Sequence, residues 1–235
     1  MYENWTGILS KARLFNNITS QDLDTLLSCL MPRIHNFKKS ECIAVAGEKI
    51  QGVGIILSGN AVVTKENAAG NRVIIALLKE GDIFGEIAAF SGSELWPATV
   101  YAQESCTAIF LPPEKIVGNC QKACVNHRTL IMNMLKIVSS KAIMLNRKVE
   151  YLSIKSMRGK ISTYLLEQYK KAGNTTFMLP LTRNELADFL NVSRPSMSRE
   201  MGRMREEGVI DFHMSSICIN DIEALKKWLN ADICK

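Results

Sequence analysis

A long apolar heptad in the middle of the chain places the tightest constraint on its fold. From about Asn126, apolar residues recur at alternating steps of four and three, a spacing that lines one side of a helix. This heptad seam consists of Ile131, Leu135, Val138, Ala142, Leu145, Val149 and Leu152. A second stripe lies beside it, at Leu130, Met134, Ile137, Met144 and Tyr151. The pattern predicts one helix over residues 126–153 with two apolar faces.

Two apolar faces on one helix require two packing partners. We expect the second stripe to pack against the N-terminal part of the same chain, and the heptad seam to pack against the same helix of a second copy. The predicted assembly is therefore a two-fold homodimer. The alternative is a long helix whose stripes pack only within its own chain.

Upstream of this helix the apolar pattern is that of short strands. A helix capped by Thr19 opens at "TSQDLDTLLSCL", and β-like runs follow at "GVGIILSG", "NAVVTKEN", "RVIIALLK", "ATVYA" and "CTAIFL". Turn-forming residues separate several of these runs, at positions 58–60, 69–71 and 80–82. Short strands at this spacing predict an all-β antiparallel barrel or sandwich over residues 32–112.

Downstream of the long helix, the segment "LTRNELADFLNVSRPSMSREMGRMREEGVIDF" predicts two short helices joined by a turn. Thr182 and Glu185 have the spacing of a capping box, and Asn191 tolerates a left-handed turn. Ser193 is a good N-cap for the second helix, with Pro195 in its first turn. The residues expected to face inward are Leu186, Ala187, Leu190, Met197, Met201 and Met204.

This two-helix segment has the layout of a helix-turn-helix, which presents side chains of its second helix to the major groove of DNA. Arginine suits that role because its planar fork can bond two acceptors of one guanine. The following stretch "GVIDFHMSSICIND" predicts two short strands of a wing. The alternative is an ordinary helical hairpin with a solvated basic face.

Composition indicates a folded protein, the charge hints at a nucleic-acid partner, and the motifs do not indicate an enzyme. The net charge is −2 over residues 1–112, +5 over 113–154 and +3 over 155–235, so the basic excess lies in the half that carries the two-helix segment. Seven cysteines without disulfide spacing, and no membrane-length apolar run or signal peptide, predict a cytoplasmic protein without a membrane partner. The chain shows no nucleophile elbow, Walker loop or other catalytic motif.

In this order, the three segments resemble the Crp/Fnr family of bacterial transcription regulators over nearly the whole chain. The likeness is carried by "GDIFGEIAAFSGSELWPATVYA" and "LTRNELADFLNVSRPSMSREMGRM". The resemblance implies an α+β fold: a sensor domain over residues 1–125 with an antiparallel β-roll of double-stranded β-helix or jelly-roll type, a dimerisation helix over 126–153, and a winged helix-turn-helix over 154–235. It implies a palindromic operator in double-stranded DNA as partner, and RNA polymerase as well if the regulator activates.

The resemblance also assigns DNA contacts. The assigned set is Thr182, Arg183, Arg194, Ser196, Ser198 and Arg199, of which Arg194, Ser198 and Arg199 take base-reading positions and Thr182 and Arg183 lie near phosphate. Pro195 departs from the family pattern, because relatives that read the well-known half-sites carry a glutamate there, able to accept from cytosine. We therefore expect a different operator sequence.

Relatives that bind cyclic AMP hold its ribose with a glutamate and its phosphate with an arginine followed by a serine or threonine. Here Gly85 and Glu86 match, but Trp96 and Pro97 replace the arginine and the hydroxyl residue. The candidate effector pocket consists of Gly85, Glu86, Ile87, Ala88, Trp96, Pro97 and Ala98, with Leu145 and Asn146 where cyclic-AMP responders have a Thr-Ser pair against the adenine. These departures predict an unidentified small-molecule effector other than cyclic AMP, or no ligand. The alternative is that Trp96 fills an obsolete pocket as core.

Other sensing chemistries would each require their own ligand residues. Haem would need an axial ligand among His35, His127, a cysteine or a methionine. An iron–sulfur cluster is disfavoured because no cysteine precedes Cys29, and no metal site is predicted. Cys120 and Cys124 could share a helix face and act in redox or metal sensing. A ligand-binding module without DNA function is the alternative from a different class.

Overall fold

The structure of the protein is a computed structural model that describes residues 3–66, 72–118 and 125–233. Its helices are α1 (Thr6–Leu9), α2 (Ser20–Leu30), α3 (Glu86–Phe90), α4 (Pro113–Val117), α5 (Val125–Ser153), α6 (Met157–Ala172), α7 (Arg183–Leu190), α8 (Arg194–Glu206) and α9 (Ile222–Ile233). Its strands are β1 (Arg33–Phe37), β2 (Cys42–Ala44), β3 (Val53–Ser58), β4 (Ala61–Glu66), β5 (Arg72–Leu78), β6 (Ile83–Phe84), β7 (Thr99–Ala102), β8 (Cys106–Leu111), β9 (Thr176–Met178), β10 (Ile210–His213) and β11 (Ser216–Ile219). Within these residues, no helix combines the length and the apolarity needed to cross a membrane.

The chain divides into two compact units, residues 1–141 and residues 142–235, and the division falls inside α5. The boundaries predicted from the sequence, at residues 125/126 and 153/154, divide segments with different expected functions and do not coincide with the division between the compact units. They stay a prediction.

The first unit is built on two antiparallel four-stranded sheets, ordered β1-β8-β3-β6 and β2-β7-β4-β5. The five strands expected from the β-like runs are all present, and the antiparallel β-roll is confirmed. β1, β2 and β6 complete the two sheets, and β5 lies at an edge, where it exposes Val73, Ile74, Ile75 and Leu77.

The apolar runs of β3 and β8 are buried on both faces of their sheet. Val53, Ile55 and Leu57 belong to a core shared with α2 and α5, whereas Ile56 and Ala108 belong to the core shared with the second sheet. Because successive side chains of a strand point to opposite faces, burial on both sides produces an unbroken apolar run.

The segment predicted to be all β contains one helix, which corrects the expectation for residues 32–112. Gly85, at φ 77°, takes the left-handed conformation after β6 and turns the chain into α3. The backbone N–H of Ala89 then donates to the carbonyl oxygen of Gly85 at 2.8 Å. This turn positions Glu86 and Ala88, both of which are buried.

Helix α5 confirms the predicted long helix. In its second stripe, Leu130, Met134 and Ile137 are buried in the core of the first unit and Tyr151 in the core of the second. Met144 is exposed, so this stripe is interrupted where one unit gives way to the other, contrary to the expectation of a continuous packed face. In the heptad seam Leu135, Ala142, Leu145, Val149 and Leu152 are exposed.

The second unit combines helices α6 to α9 with a three-stranded antiparallel sheet, ordered β10-β11-β9. The two predicted wing strands are β10 and β11, which pair from Ile210 opposite Ile219 to His213 opposite Ser216. β9 adds a strand that the sequence did not indicate, because three residues are too few to show alternation.

Candidate nucleic-acid interface and sensor site

Local hydrogen bonds fix the first helix of the helix-turn-helix and the turn that follows it. The backbone N–H of Glu185 donates to the Thr182 hydroxyl at 3.3 Å, and the Thr182 N–H donates to the Glu185 carboxylate at 2.8 Å, which completes the predicted capping box. The Thr182 N–H, with a smaller effect of the Thr182 hydroxyl, lowers the pKa of the Glu185 carboxyl. Asn191 has φ 53° and ψ 54°, the left-handed geometry expected for the turn.

Helix α8 presents two chemically different faces. Met197, Met201 and Met204 are buried in the core of the second unit, as predicted. Arg194, Ser198 and Arg199 are exposed, as is Pro195. The exposed residues therefore form a polar surface near the N-terminus of α8, which is the end that a recognition helix directs at base edges.

Three side chains near the start of α8 form a hydrogen-bonded row. The Ser193 hydroxyl accepts from the Ser196 backbone N–H at 3.3 Å, which is the predicted N-cap, and it donates to Ser196 Oγ at 2.7 Å. Arg199 Nη2 donates to the same Ser196 oxygen at 3.3 Å. Ser196 is thus engaged within the protein and supports the Arg199 guanidinium. No sequence signal indicated this row, because it depends on rotamers.

Arg183, assigned to a phosphate contact, lies over the ring of Phe212, with 4.9 Å from its guanidinium carbon to the ring centroid. Its Nη2 donates to the carbonyl oxygen of Met214 at 3.5 Å, and burial lowers its pKa. Arg205 stacks on the same ring at 4.7 Å. The two arginines therefore join α7 and α8 to the wing, and the phosphate role of Arg183 stays a prediction.

Contacts that the sequence did not reveal hold α7 and α8 in place. Arg158, in the first turn of α6, pairs with Glu200 and, at 2.8 Å, with Glu207, and its guanidinium carbon lies 4.6 Å from the centre of the Trp228 ring. Buried Lys160 donates to the carbonyl oxygen of Leu190 at 3.2 Å, at the C-terminal end of α7, where a cation is favoured. These partners lie 30 or more residues apart, beyond the reach of periodicity.

In the β-roll, Trp96 is part of the core. Its side chain is 5% exposed, and its ring stacks near Phe84 with 6.2 Å between centroids. A Cβ atom on Gly85 would lie 2.5 Å from the Trp96 ring, so the indole rests directly on this glycine. Two backbone hydrogen bonds hold the residue there: the Trp96 N–H donates to the carbonyl oxygen of Glu48 at 2.8 Å, and the Gly47 N–H donates to the carbonyl oxygen of Trp96 at 2.9 Å. This packing favours the interpretation that Trp96 fills the pocket.

Glu86 is 1% exposed and has one partnered and one unpartnered oxygen. Its Oε1 lies 2.6 Å from the Nζ atom of Lys141 on α5, a residue that the sequence did not single out. Its Oε2 has no hydrogen-bond partner within the described part of the chain. An unpaired buried carboxylate is costly, so the ion pair with Lys141 offsets part of the cost of burying Glu86.

The remaining residues of the candidate pocket are not all interior. Ala88 is buried and Ala98 is half-buried, whereas Ile87 and Pro97 are exposed. Leu145 and Asn146 are exposed residues of α5 in the second unit. The structure brings Gly85, Glu86 and Trp96 together, and membership of the other positions in a common site stays a prediction.

The candidate haem ligands lie in separate surroundings. His35 is exposed on β1 beside Phe37 and Phe110, whereas His127 is buried with Nε2 3.2 Å from the carbonyl oxygen of Lys115. Across the described residues, no three His, Cys, Asp or Glu side chains gather as a metal site would require. Cys120 and Cys124 lie outside the described residues.

Comparisons with known proteins match both halves of the chain. The model of the cyclic nucleotide-binding domain matches residues 34–122, and that of the Crp-like helix-turn-helix domain matches residues 159–228. The global nitrogen regulator of a Nostoc species is 23% identical over 197 residues, which cover 80% of this chain and 86% of that protein. The cAMP-activated global transcriptional regulator CRP of Pasteurella multocida is 23% identical over 207 residues, covering 86% and 97%.

Among solved structures, the catabolite activator protein of Thermus thermophilus has the same fold, with a TM-score of 0.54 and 20% identity over 94% of this chain and 99% of that one. The roll and the winged helix-turn-helix thus define a DNA-binding transcription regulator with a cyclic nucleotide-binding-type domain. The chain belongs to the Crp/Fnr family of transcriptional regulators, whose members are not enzymes.

Proposed function

We propose that this regulator binds palindromic DNA as a homodimer whose two copies of α5 meet along the heptad seam. The support is the exposure of Leu135, Leu145 and Val149, which are 55%, 64% and 58% exposed on one helix. Large contiguous apolar surfaces are uncommon on monomers and mark interaction sites. A two-fold dimer gives two copies of α8, which enter successive major grooves when they lie about 34 Å apart.

The effector is not cyclic AMP. The observation that carries this part of the proposal is the burial of the Trp96 ring against Gly85. Cyclic-AMP-binding relatives place a phosphate-gripping arginine at this position. An indole offers no charge to a phosphate, and here it also occupies space within the core.

The signal reaches α8 through α5. The ion pair of Glu86 with Lys141 ties α3 of the roll to α5 at the last residue of the first unit. A ligand that competes for Glu86 favours one arrangement of the dimer over another, because it binds the two arrangements with different affinity. Reorientation of the two helix-turn-helix domains then changes the affinity for DNA.

Calorimetric titration of the full-length protein with cyclic AMP tests the assignment of the effector. We expect no saturable heat, and the same DNA affinity in a gel-shift titration with and without the nucleotide. Saturable binding of cyclic AMP that strengthens DNA binding would contradict the proposal. A variant with Trp96→Arg and Pro97→Ser, which restores the residue types of cyclic-AMP responders, shows whether these two positions alone exclude the nucleotide.

A further inference from the structure

We propose that a cleft between the N-terminal segment and α5 binds a small dianion, either a phosphate group or a short dicarboxylate. The cleft has a volume of about 280 Å³ and lies apart from Glu86 and Trp96. Its polar lining consists of Arg13, Asn16, Asn17, Asn133, Lys136 and Ser140. The proposal does not rest on the proposed dimer or on DNA binding.

The charge of the lining favours an anion. Arg13 of the N-terminal segment and Lys136 of α5 both line the cleft, and no lining residue is acidic. Over the part of the chain that the structure describes, neither cation forms an ion pair. Cations converging in a concave site raise the local concentration of anions.

Hydrogen bonds of Asn133 tie together the two segments that line the cleft. Asn133 on α5 is 4% exposed, and its Nδ2 donates to the carbonyl oxygens of Leu14 at 3.0 Å and Asn16 at 2.7 Å. These bonds fasten the N-terminal segment to α5. The side chains of Asn16 and Asn17 are exposed at the cleft, where their amide groups add neutral donors to the two cations.

The size of the cleft restricts the ligand. Pockets for drug-sized ligands span roughly 300 to 1,000 Å³, and this cleft of about 280 Å³ lies at the small end of that range, with room for a phosphate group or a short dicarboxylate. The guanidinium fork of Arg13 can hold two oxygens of a phosphate or a carboxylate, and Lys136 supplies a second point charge. A dianion would thus bridge the N-terminal segment and α5.

Calorimetric titration of the full-length protein with inorganic phosphate and, separately, with succinate tests the proposal. Arg13→Gln and Lys136→Gln remove one cation each, and Arg33→Gln removes an exposed arginine of β1 outside the cleft. Side-chain amide signals of Asn16 and Asn17 in an NMR titration report whether the anion occupies this cleft rather than the basic surface of the second unit.

We expect one of the two anions to bind and to shift both amide signals, and each cleft variant to weaken binding by about tenfold or more. Arg33→Gln should bind as the wild type does, and added salt should weaken binding in both. The anion that binds more tightly identifies the ligand class. Binding of neither anion, or binding that both cleft variants retain, would overturn the proposal.

Discussion

At the scale of single residues, Arg199 combines exposure with internal support. Its guanidinium donates to Ser196 Oγ, which is itself held by the N-cap Ser193. Such support reduces the rotamer entropy that a long side chain loses when it contacts a base. Ser196 therefore positions the Arg199 guanidinium, in addition to its own predicted contact with DNA.

Arg199→Ala should cost about 1 to 3 kcal/mol of binding free energy on the cognate DNA site and much less on unrelated DNA. Gel-shift titration at fixed salt measures both affinities. Lys226→Ala, which removes an exposed cation from α9, serves as the control and should leave the ratio of the two affinities unchanged. Wild-type affinity of Arg199→Ala for the cognate site would remove Arg199 from the base-reading set.

Trp96 makes a prediction about stability. Because the indole is buried in the core of the roll, Trp96→Ala should lower the free energy of unfolding by about 3 to 5 kcal/mol. Leu95→Ala, at the exposed neighbouring position, should change it by less than about 0.5 kcal/mol. Urea unfolding of the two variants compares them. Equal losses would show that Trp96 is not a core residue.

At the scale of elements, the sequence predicted those features whose stabilising contacts lie within a few residues of each other. The caps at Thr182 and Ser193 and the turn at Asn191 arise within a few residues, and the structure confirms them. The ion pairs of Arg158 with Glu200 and of Glu86 with Lys141 join residues 42 and 55 positions apart, so no pattern in the sequence announces them. The very short β6 and β9 were missed because their stability depends on partner strands.

Within the second unit, aromatic rings join the end of α5 to α6 and α7. Their burial predicts a pH dependence of the free energy of unfolding. Tyr164 of α6 packs against Tyr151 of α5 and Phe189 of α7, at 6.5 and 5.7 Å between ring centroids. Burial, with a smaller effect of the Glu167 carboxylate, raises the pKa of Tyr164 to about 12 from 10. The folded state therefore keeps a proton that the unfolded chain releases between these values.

The free energy of unfolding should consequently fall as the pH rises from about 10 to about 12. Tyr164→Phe should make this fall less steep, with the remainder due to Tyr151, whose pKa burial also raises. The variant should be neutral or stabilising at pH 7, because the Tyr164 hydroxyl has no hydrogen-bond partner among the described residues. Urea unfolding at several pH values tests both expectations, with Tyr169→Phe on the same helix as the control. A marked loss of stability of Tyr164→Phe at pH 7 would contradict this interpretation.

At the scale of the whole molecule, the proposed dimer would cover the apolar residues of the heptad seam that a single chain leaves exposed along α5. Leu145→Glu places a charge in the proposed dimer contact. It should convert the dimer to a monomer in sedimentation experiments and weaken binding to a palindromic site by about tenfold or more, because one half-site no longer assists the other.

Met144→Glu is the matched control for Leu145→Glu, since Met144 is also an exposed apolar residue of α5 but lies outside the heptad seam. It should leave the oligomeric state unchanged. A wild-type protein that sediments as a monomer would contradict the dimer, and a Leu145→Glu variant that remains dimeric would place the dimer contact elsewhere.

The most direct test of the central claim is selection of binding sites from a pool of random double-stranded DNA by the full-length protein, with and without cyclic AMP. We predict enrichment of one two-fold symmetric sequence whose half-sites are about one helical turn apart, with the same enrichment in both conditions. Failure to enrich any sequence, or enrichment only in the presence of cyclic AMP, would contradict the claim.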